Sequence, residues 1–383
     1  MVQIRTAHTR KQDATAAVGE LQQQLDGPDK PSLILFYCSS ELDLPGLETA
    51  FKATWPDTPV VGCPTAGELG PLGYADRSLV GVAFPAAQFD FVPLLLEGLS
   101  DRSIQDIRDQ AENARQQLYQ HRNADLLVHH FALLLIDGLS LREEPVTRAL
   151  QNTLPGIPII GGSAGDSLHF EQTLVFHNGQ FHDDCALVLL AGTSCGLHPF
   201  KVQHFEATAQ RMVVTGADIA RRRVTEINGL PAAGEYARLT GVDVDNLNPM
   251  RFASAPVVVL INGREYVRSI QQANADDSLT FYCAIEEGLV FRVARGVDIV
   301  NNLQNALENE TRDLKPQAIL AFDCVLRKLE VEQKALRPAY SELLRQYNVV
   351  GFNSYGEQYN GIHVNQTFTG LAIGRPEEPE VGP

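Results

Sequence analysis

Continuous apolar runs alternate with amphipathic segments along much of this chain, and the same succession occurs three times. The runs lie at 33–38, 132–138 and 318–324, and such runs are typical of strands buried on both faces of a sheet. A 3.6-residue period of apolar side chains follows each run, which predicts a helix in every copy. The residues on these helical faces are Leu47, Ala50, Phe51 and Trp55, then Val146, Ala149 and Leu150, then Leu336, Tyr340 and Leu343. We therefore predict a strand–helix–strand unit that is used at least three times.

A glycine-rich turn closes each unit, at 61–68, 160–166 and 350–357. In every copy a β-branched run ends in glycine, small or hydroxyl residues follow, and a second glycine precedes a carboxylate. These final pairs are Gly67–Glu68, Gly165–Asp166 and Gly356–Glu357. Glycine permits backbone angles or close approaches that a Cβ would forbid, and the carboxylate follows a turn with unpaired N–H groups. We expect the turns to gather at one sheet edge or in an inter-domain cleft, where α/β folds place ligands.

The segments between the copies predict further elements. Asp13 caps an opening helix over 13–25, and Ser103 caps a second helix. Residues 174–177 and 186–189 predict a hairpin turned at 178–179. From about residue 205 the pattern becomes β-rich, with strands at 257–260, 266–268, 279–282 and 289–293, and with a helix opened by Pro231. We predict an α/β protein with two domains, 1–204 and 205–374, and a disordered tail at 375–383.

Length and composition narrow the class of protein. A chain of 383 residues exceeds the size of a single core, so two domains are expected. The hydrophobic content of 44% and the charged content of 20% are those of a soluble globular protein. A net charge of −16 disfavours nucleic acid and anionic membranes as partners. The N-terminus has no apolar signal region, so the cytoplasm is the expected location. The six cysteines form no Cys-x-x-Cys pair and are expected to be buried apolar residues.

One motif suggests a serine hydrolase. Residues 161–165 fit Gly-x-Ser-x-Gly, and Asp323 and His363 follow Ser163 in the order of an α/β-hydrolase triad. The nucleophile elbow requires a helix after the turn, however, and here a β-rich hairpin follows. Thr65 and Ser354 occupy the same point of the other turns, which favours a structural hydroxyl at Ser163. We therefore expect no enzymatic activity.

Several ordered motifs resemble the FIST family. Residues 59–68 followed by Asp76 are similar to the signature of the FIST N-terminal domain. Six later segments resemble the C-terminal domain that accompanies it. These are residues 228–232, 265–270, 287–288, 322–327, 351–357 and 365–367. The resemblance covers nearly the whole chain and implies a two-domain FIST-type fold that serves as a sensory module of signal transduction.

The compact layout further resembles the bacterial nitric-oxide-sensing haem proteins of this family. That resemblance implies non-covalent b-type haem, nitric oxide as the signal and a partner histidine kinase. A histidine is the usual axial ligand, and segment 176–184 has the richest surroundings for one. We expect His182 to bind the metal, with His177, Phe181 and Phe176 completing the haem site. Other donors stay open: His169, His204, His363, a cysteine or a tyrosine, whereas His8 and His121 lie in polar surroundings and are expected at the surface.

A second interpretation places a small cationic or zwitterionic ligand at the turns. Its amine would face Glu68 or Glu357, and its carboxylate would face Arg268 or Arg327. Gly67, Gly165 and Gly356 would then let the backbone approach this ligand. The same charges could instead pair with each other or cap the turns. The sequence also leaves self-association into a homo-oligomer open.

Overall fold

The computed structural model describes residues 3–120, 128–261 and 263–376. Its first unit begins with a strand and a helix that precede the predicted strand–helix–strand core. Its elements are β1 (Arg5–Thr9), α1 (Ala14–Leu25), β2 (Pro31–Ser39), α2 (Leu44–Thr54), β3 (Val60–Thr65), β4 (Glu68–Gly70), β5 (Gly73–Ala75) and β6 (Leu79–Pro85). Asp13 caps α1 as predicted, because its carboxylate accepts the Ala16 N–H at 2.8 Å. The parallel pair β2–β3 lies beside antiparallel β6 and β1.

The second unit repeats this order of elements. They are β7 (Phe89–Glu97), α3 (Ile104–Gln120), β8 (His129–Ile136), α4 (Glu143–Thr153), β9 (Ile159–Ser163), β10 (Val175–His177), β11 (Gln180–His182) and β12 (Cys185–Thr193). The predicted pairing of 174–177 with 186–189 is wrong, because β10 pairs with β11. Strand β12 is buried throughout and lies between β7 and β8, so neither of its edges can accept β10.

The β-rich section forms an inserted domain after β13 (Cys195–Val202). Its elements are β14 (Phe205–Asp218), β15 (Arg223–Ile227), β16 (Leu230–Pro231), α5 (Ala232–Thr240), a 3₁₀ turn (Val244–Asn246), α6 (Pro249–Ser254), β17 (Val257–Ile261), β18 (Arg264–Arg268), β19 (Ile270–Ala273), β20 (Leu279–Phe281) and β21 (Val290–Gly296). These strands form one antiparallel sheet with its own apolar core. The predicted β-rich section and the helix opened by Pro231 are therefore confirmed.

The third unit resumes after the inserted domain. Its elements are α7 (Ile299–Glu310), β22 (Ala318–Cys324), α8 (Val325–Gln333), α9 (Arg337–Gln346), β23 (Val349–Ser354), β24 (Glu357–Tyr359), β25 (Ile362–Val364) and β26 (Phe368–Pro376). With β13 as its edge strand, this unit follows the order of the other two, except that two helices, α8 and α9, lie between its parallel strands where the other units have one. Residues 375 and 376 belong to β26, and the rest of the predicted tail lies outside the described residues. The predicted boundary at 204 falls where the chain enters the inserted domain, and it stays a prediction.

The three units exchange hairpins in a cycle. The hairpin β4–β5 extends the third unit's sheet through β23, and β24–β25 extends the second unit's sheet through β9. The hairpin β10–β11 in turn extends the first unit's sheet through β3. Each of the three sheets therefore has six strands, one third of which come from another unit.

The cores follow from this arrangement. One face of each sheet contributes to a common centre, where the rings of Tyr37 and Phe352 from two different sheets lie 4.8 Å apart. The opposite faces pack against the helices of their own units in three further clusters. The predicted mixed α/β fold with repeated strand–helix–strand units is confirmed. Within the described residues, no helix is long and apolar enough to span a membrane.

Candidate functional site

The three glycine turns meet where the sheets exchange their hairpins, as the sequence predicted. Backbone hydrogen bonds join each turn directly to a neighbouring one. They run from Asn353 N to Gly67 O at 2.7 Å, from Ser163 N to Gly356 O at 2.8 Å and from Gly165 N to Pro64 O at 3.1 Å. The turns thus form the junction at which the three units are joined.

The first glycine of each turn allows two parallel strands to approach closely. A Cβ at any of these positions would lie far inside the van der Waals radius of a carbonyl oxygen on the paired strand. The distances are 2.1 Å from Gly62 to Phe36 O, 2.0 Å from Gly161 to Leu134 O and 1.7 Å from Gly351 to Ala321 O. The repeated glycine therefore reflects strand packing, and ligand approach is not required to explain it.

Two of the turn carboxylates are completely buried inside their own turns. Glu68 accepts hydrogen bonds from the hydroxyls of Thr65 and Ser78, each at 2.6 Å. Glu357 repeats this pattern with Ser354 at 2.6 Å and Thr367 at 2.7 Å. Burial raises the pKa of Glu68 to about 7 and that of Glu357 to about 8, although the hydroxyl donors oppose the shift.

The third turn carboxylate, Asp166, behaves differently. It accepts hydrogen bonds from the backbone N–H groups of residues 170–172 and from the Tyr355 hydroxyl. Burial opposes ionisation, but these donors outweigh it and hold the pKa of Asp166 below its usual value. All three carboxylates are therefore occupied by donors of the protein itself, and the geometry favours the turn-capping interpretation over a contact with a ligand amine.

Ionisation of Glu68 and Glu357 should make stability depend on pH. Each carboxyl holds its proton more tightly in the folded chain than in the unfolded chain, so stability should fall as pH rises from about 4.5 to about 8. Local relaxation of the structure reduces the cost of ionising the two buried carboxyls. We expect the free energy of unfolding to fall by on the order of 2 kcal/mol over this pH range. Urea unfolding at pH 5 and pH 8.5 measures it.

The matched control is the double variant Glu68→Gln, Glu357→Gln. An amide resembles the protonated carboxyl, since it offers one acceptor to the backbone donor and one donor to the turn hydroxyl. The double variant should therefore unfold at similar urea concentrations at the two pH values. An unchanged pH dependence in this variant would show that other groups cause it.

The two arginines expected to bind a ligand carboxylate are also engaged. Arg327 is fully buried, and its Nε, Nη1 and Nη2 bond Asp323 at 2.7 Å, His204 Nδ1 at 2.7 Å and Tyr340 at 2.8 Å. Arg268 is nearly buried, and its Nη1 donates to Val267 O at 3.2 Å. A zwitterion held between these arginines and the turn carboxylates is therefore not supported.

The three residues of the hydrolase motif do not form a triad. Ser163 Oγ accepts a hydrogen bond from Gln358 Nε2 at 3.0 Å, and the same Nε2 atom lies 3.2 Å from His363 Nδ1. Asp323 is instead paired with Arg327. Ser163 and His363 are thus separated by an amide that cannot relay a proton from the serine to the imidazole.

An open groove of about 610 Å³ lies where β10 joins the first unit. We call it the aromatic groove, and its lining includes Phe51, Lys52, Trp55, Phe176 and His177. The rings of Phe51 and Phe176 lie 5.6 Å apart, and those of Phe51 and Trp55 lie 6.0 Å apart. The Nδ1 atom of His177 is buried and has no hydrogen-bond partner within the described residues. The groove thus combines apolar walls with an imidazole that has one ring nitrogen without a hydrogen-bond partner within the described residues.

His182, the histidine favoured by the sequence, is not available in this way. Its Nδ1 lies 3.0 Å from Glu97 Oε1, and its Nε2 lies 3.2 Å from His177 O. One ring nitrogen of His182 therefore ties the hairpin to β7 and the other closes the hairpin itself. Of the two histidines expected in a haem site, His177 is the one with a ring nitrogen that has no hydrogen-bond partner within the described residues. Phe181 lies behind the groove, where its ring packs 5.0 Å from that of Phe176.

The remaining histidines have varied surroundings. His8 is buried and bonded to Ser78 Oγ at 3.0 Å, so its expected surface position is wrong, and His121 lies outside the described residues. Both ring nitrogens of His204 are bonded, to Arg327 and Glu330. His363 Nε2 has no partner within the described residues but lies in the closed interior.

Sequence reasoning missed Phe51 and Trp55 as groove residues. The sequence pattern places both on the apolar face of a helix, and only the hairpin exchange brings Phe176 and His177 beside them. All six cysteines are buried, as expected.

Comparison with known families adds an independent finding. The FIST N domain model matches residues 32–230, and the FIST C domain model matches residues 232–360. The chain belongs to the FIST family. FIST domains are sensory domains of signal transduction. This chain therefore consists largely of sensory domains.

Other comparisons add little to this assignment. No curated protein matches the FIST chain significantly. Among solved structures, the FIST chain is similar to that of PurLQS from Thermotoga maritima, with 9% identity, a TM-score of 0.21 and coverage of 98% of this chain and 74% of that one. A similarity this weak carries no argument about fold or function.

Proposed function

We propose that this FIST protein is a cytoplasmic sensor that binds b-type haem in the aromatic groove and responds to nitric oxide without catalytic turnover. The observation that carries the proposal is His177, whose buried Nδ1 lacks a partner within the described residues beside an aromatic-lined groove. A volume of about 610 Å³ lies within the usual range of small-molecule pockets.

The residues present suit this cofactor. Burial, and then the neighbouring His182, lower the pKa of His177, so its imidazole is neutral at physiological pH and able to bind a metal. Phe51, Trp55 and Phe176 supply apolar walls, and Lys52 supplies a cation for a propionate. When bound, haem would supply an iron atom that takes nitric oxide as a ligand.

The hairpin exchange offers a path for the signal. His177 belongs to the second unit, but its neighbour Phe176 pairs with Gly62 on β3 of the first unit. Movement of His177 would therefore reach the first glycine turn, which is bonded to the other two. The response can be no larger than the difference in ligand affinity between the two conformations. A partner histidine kinase would detect this change, and the net charge of −16 favours a protein partner over nucleic acid.

Haem titration of the purified chain tests the proposal. The chain has a single tryptophan, Trp55, and it lines the groove. We expect a Soret band to appear as the Trp55 fluorescence is quenched, with both changes saturating together. Nitric oxide should then shift the Soret band. A Soret band without quenching would place haem elsewhere, and a protein that takes up no haem would favour a different small ligand.

Replacing His177 tests the axial ligand. His177→Gly should weaken haem binding by at least about tenfold or change the Soret position, and added imidazole should restore the original spectrum. The matched control is His169→Gly, since His169 is exposed and does not line the groove. A normal spectrum in His177→Gly, or its loss in the control, would contradict the assignment.

A further inference from the structure

A second large groove lies at the end of the three units that is opposite the glycine turns. Strand β1 runs from Arg5 at this groove to Thr9, whose partner Leu79 follows Ser78 at the first glycine turn. The groove has a volume of about 800 Å³, within the range of small-molecule pockets. We call it the basic groove, and residues of all three units line it. They include Arg5 and Gln24 of the first unit, Gln88 of the second, and Lys315, Asn348 and Arg375 of the third.

The basic groove differs in charge from the chain as a whole. The chain has 47 acidic and 31 basic residues, so an average region of its surface is negative. Of the described residues that line the groove, three are basic and none is acidic. None of these three basic side chains forms an ion pair with a carboxylate of the described residues. The groove is therefore a concentrated positive region without a carboxylate of its own.

The side chain of Gln317 fixes the backbone beside both arginines of the groove. Its Oε1 accepts the Ile4 N–H at 2.9 Å, and its Nε2 donates to Gly374 O at 2.8 Å. Arg5 and Arg375 are the next residues along the chain after Ile4 and Gly374. One amide thus joins the first unit to the third at the groove, and this part of the site is formed before any ligand binds.

The basic side chains are positioned but not neutralised. Arg5 Nε donates to Leu25 O at 2.5 Å, and its Nη2 donates to Asp29 O at 3.1 Å. Both acceptors are backbone carbonyls, which orient the guanidinium without cancelling its positive charge. Lys315 and Arg375 are exposed, so their side chains can turn toward an anion. Arginine binds phosphate oxygens in pairs and lysine binds them as a point charge, so the three side chains together suit phosphate groups.

The charges also limit the size of the anion. A nucleic acid would have to follow a basic surface beyond the groove, and the net charge of −16 disfavours such a surface. A single phosphate carries fewer charges than the groove has cations. A compact ligand with linked phosphate groups matches the number of cations and stays within the groove.

We propose that the basic groove binds a compact ligand with two or more linked phosphate groups, such as pyrophosphate or a nucleoside diphosphate. Arg5 and Arg375 would bind phosphate oxygens, and Lys315 would balance the remaining charge. Because these cations belong to the first and third units, the ligand would hold the two units together. The basic groove shares no lining residue with the aromatic groove, so the proposal does not depend on haem.

Calorimetric titration of the full chain with pyrophosphate in metal-free buffer tests the proposal. We expect saturable binding with a dissociation constant of about 0.01–0.1 mM, which weakens as salt is added. Inorganic phosphate should bind at least about tenfold more weakly, because one phosphate cannot contact all three cations. Three glutamates follow Pro376 in the sequence, at 377, 378 and 380, and the full chain is used so that binding is measured in their presence.

Two comparisons define the ligand class. Succinate carries two carboxylates and should bind more weakly than pyrophosphate. Tighter binding of ADP than of pyrophosphate would identify a nucleotide as the ligand, and the reverse order would identify a ligand without a base. Lack of saturation by pyrophosphate, or equal affinity for phosphate or succinate, would overturn the proposal.

The double variant Lys315→Gln, Arg375→Gln locates the site. It removes two of the three charges and leaves Gln317 in place, so pyrophosphate affinity should fall at least about tenfold. The matched control is Arg108→Gln, Arg148→Gln, since both arginines are exposed and neither lines the groove. This control removes the same number of charges and should keep its affinity within about twofold. An equal loss in both double variants would overturn the assignment to the groove, and circular dichroism would verify folding.

Discussion

Replacing Gly351 with alanine is expected to lower the free energy of unfolding by about 3 kcal/mol or more. The new Cβ would lie 1.7 Å from Ala321 O on the neighbouring strand, and the obstacle is backbone rather than a flexible side chain. Relief of this clash requires β22 and β23 to separate, which breaks the parallel ladder that joins them. Urea unfolding, or loss of soluble protein where the variant does not fold, measures the effect.

The matched control for this prediction is Gly19→Ala. Gly19 lies inside α1, and a Cβ there would meet nothing within 4 Å. This change should raise stability by roughly 0.5–1 kcal/mol, because alanine is the better helix former. Gly161→Ala should behave like Gly351→Ala, since its Cβ would lie 2.0 Å from Leu134 O. If Gly351→Ala unfolds at the same urea concentration as the native chain, the close approach of the strands is not what requires glycine.

The sequence revealed the three units because their signals are local. A buried strand, an amphipathic helix and a glycine turn each show within about ten residues, and three copies reinforce one another. The hairpin exchange gives no such signal. Strand β10 lies closer in sequence to β12 than to β3, yet β12 needs both of its edges for β7 and β8. The pairing of β10 is determined by which strand edges are left free in the folded protein, and local patterns in a single sequence do not indicate this.

The candidate site was predictable only in part. The turns do gather, but the role expected of Glu68 and Glu357 ignored a hydroxyl three residues earlier, at Thr65 and Ser354. That spacing was visible in the sequence and could have indicated an internal hydrogen bond. The sequence places His177 in the candidate haem segment beside the favoured His182, whereas Trp55 lies more than one hundred residues away and comes beside His177 only through the hairpin exchange.

Replacing Arg327 with alanine is expected to destabilise the fold by about 3–5 kcal/mol. The guanidinium is fully buried and bonds Asp323, His204 and Tyr340 at once. Its removal leaves the Asp323 carboxylate in an apolar interior without its cation, and leaves His204 Nδ1 without its donor. Urea unfolding of the variant and of the native chain measures the difference.

The pH dependence of this loss distinguishes a charge effect from a cavity. Burial already raises the pKa of Asp323, with Arg327 opposing the shift. Without Arg327 the folded chain would hold the Asp323 proton still more tightly, so the variant should lose more stability at pH 8 than at pH 5. The control Arg345→Ala removes a half-exposed ion pair with Glu342 and should cost less than about 0.5 kcal/mol. A loss in Arg327→Ala that is equal at both pH values would indicate lost packing volume, because an uncompensated carboxylate must respond to pH.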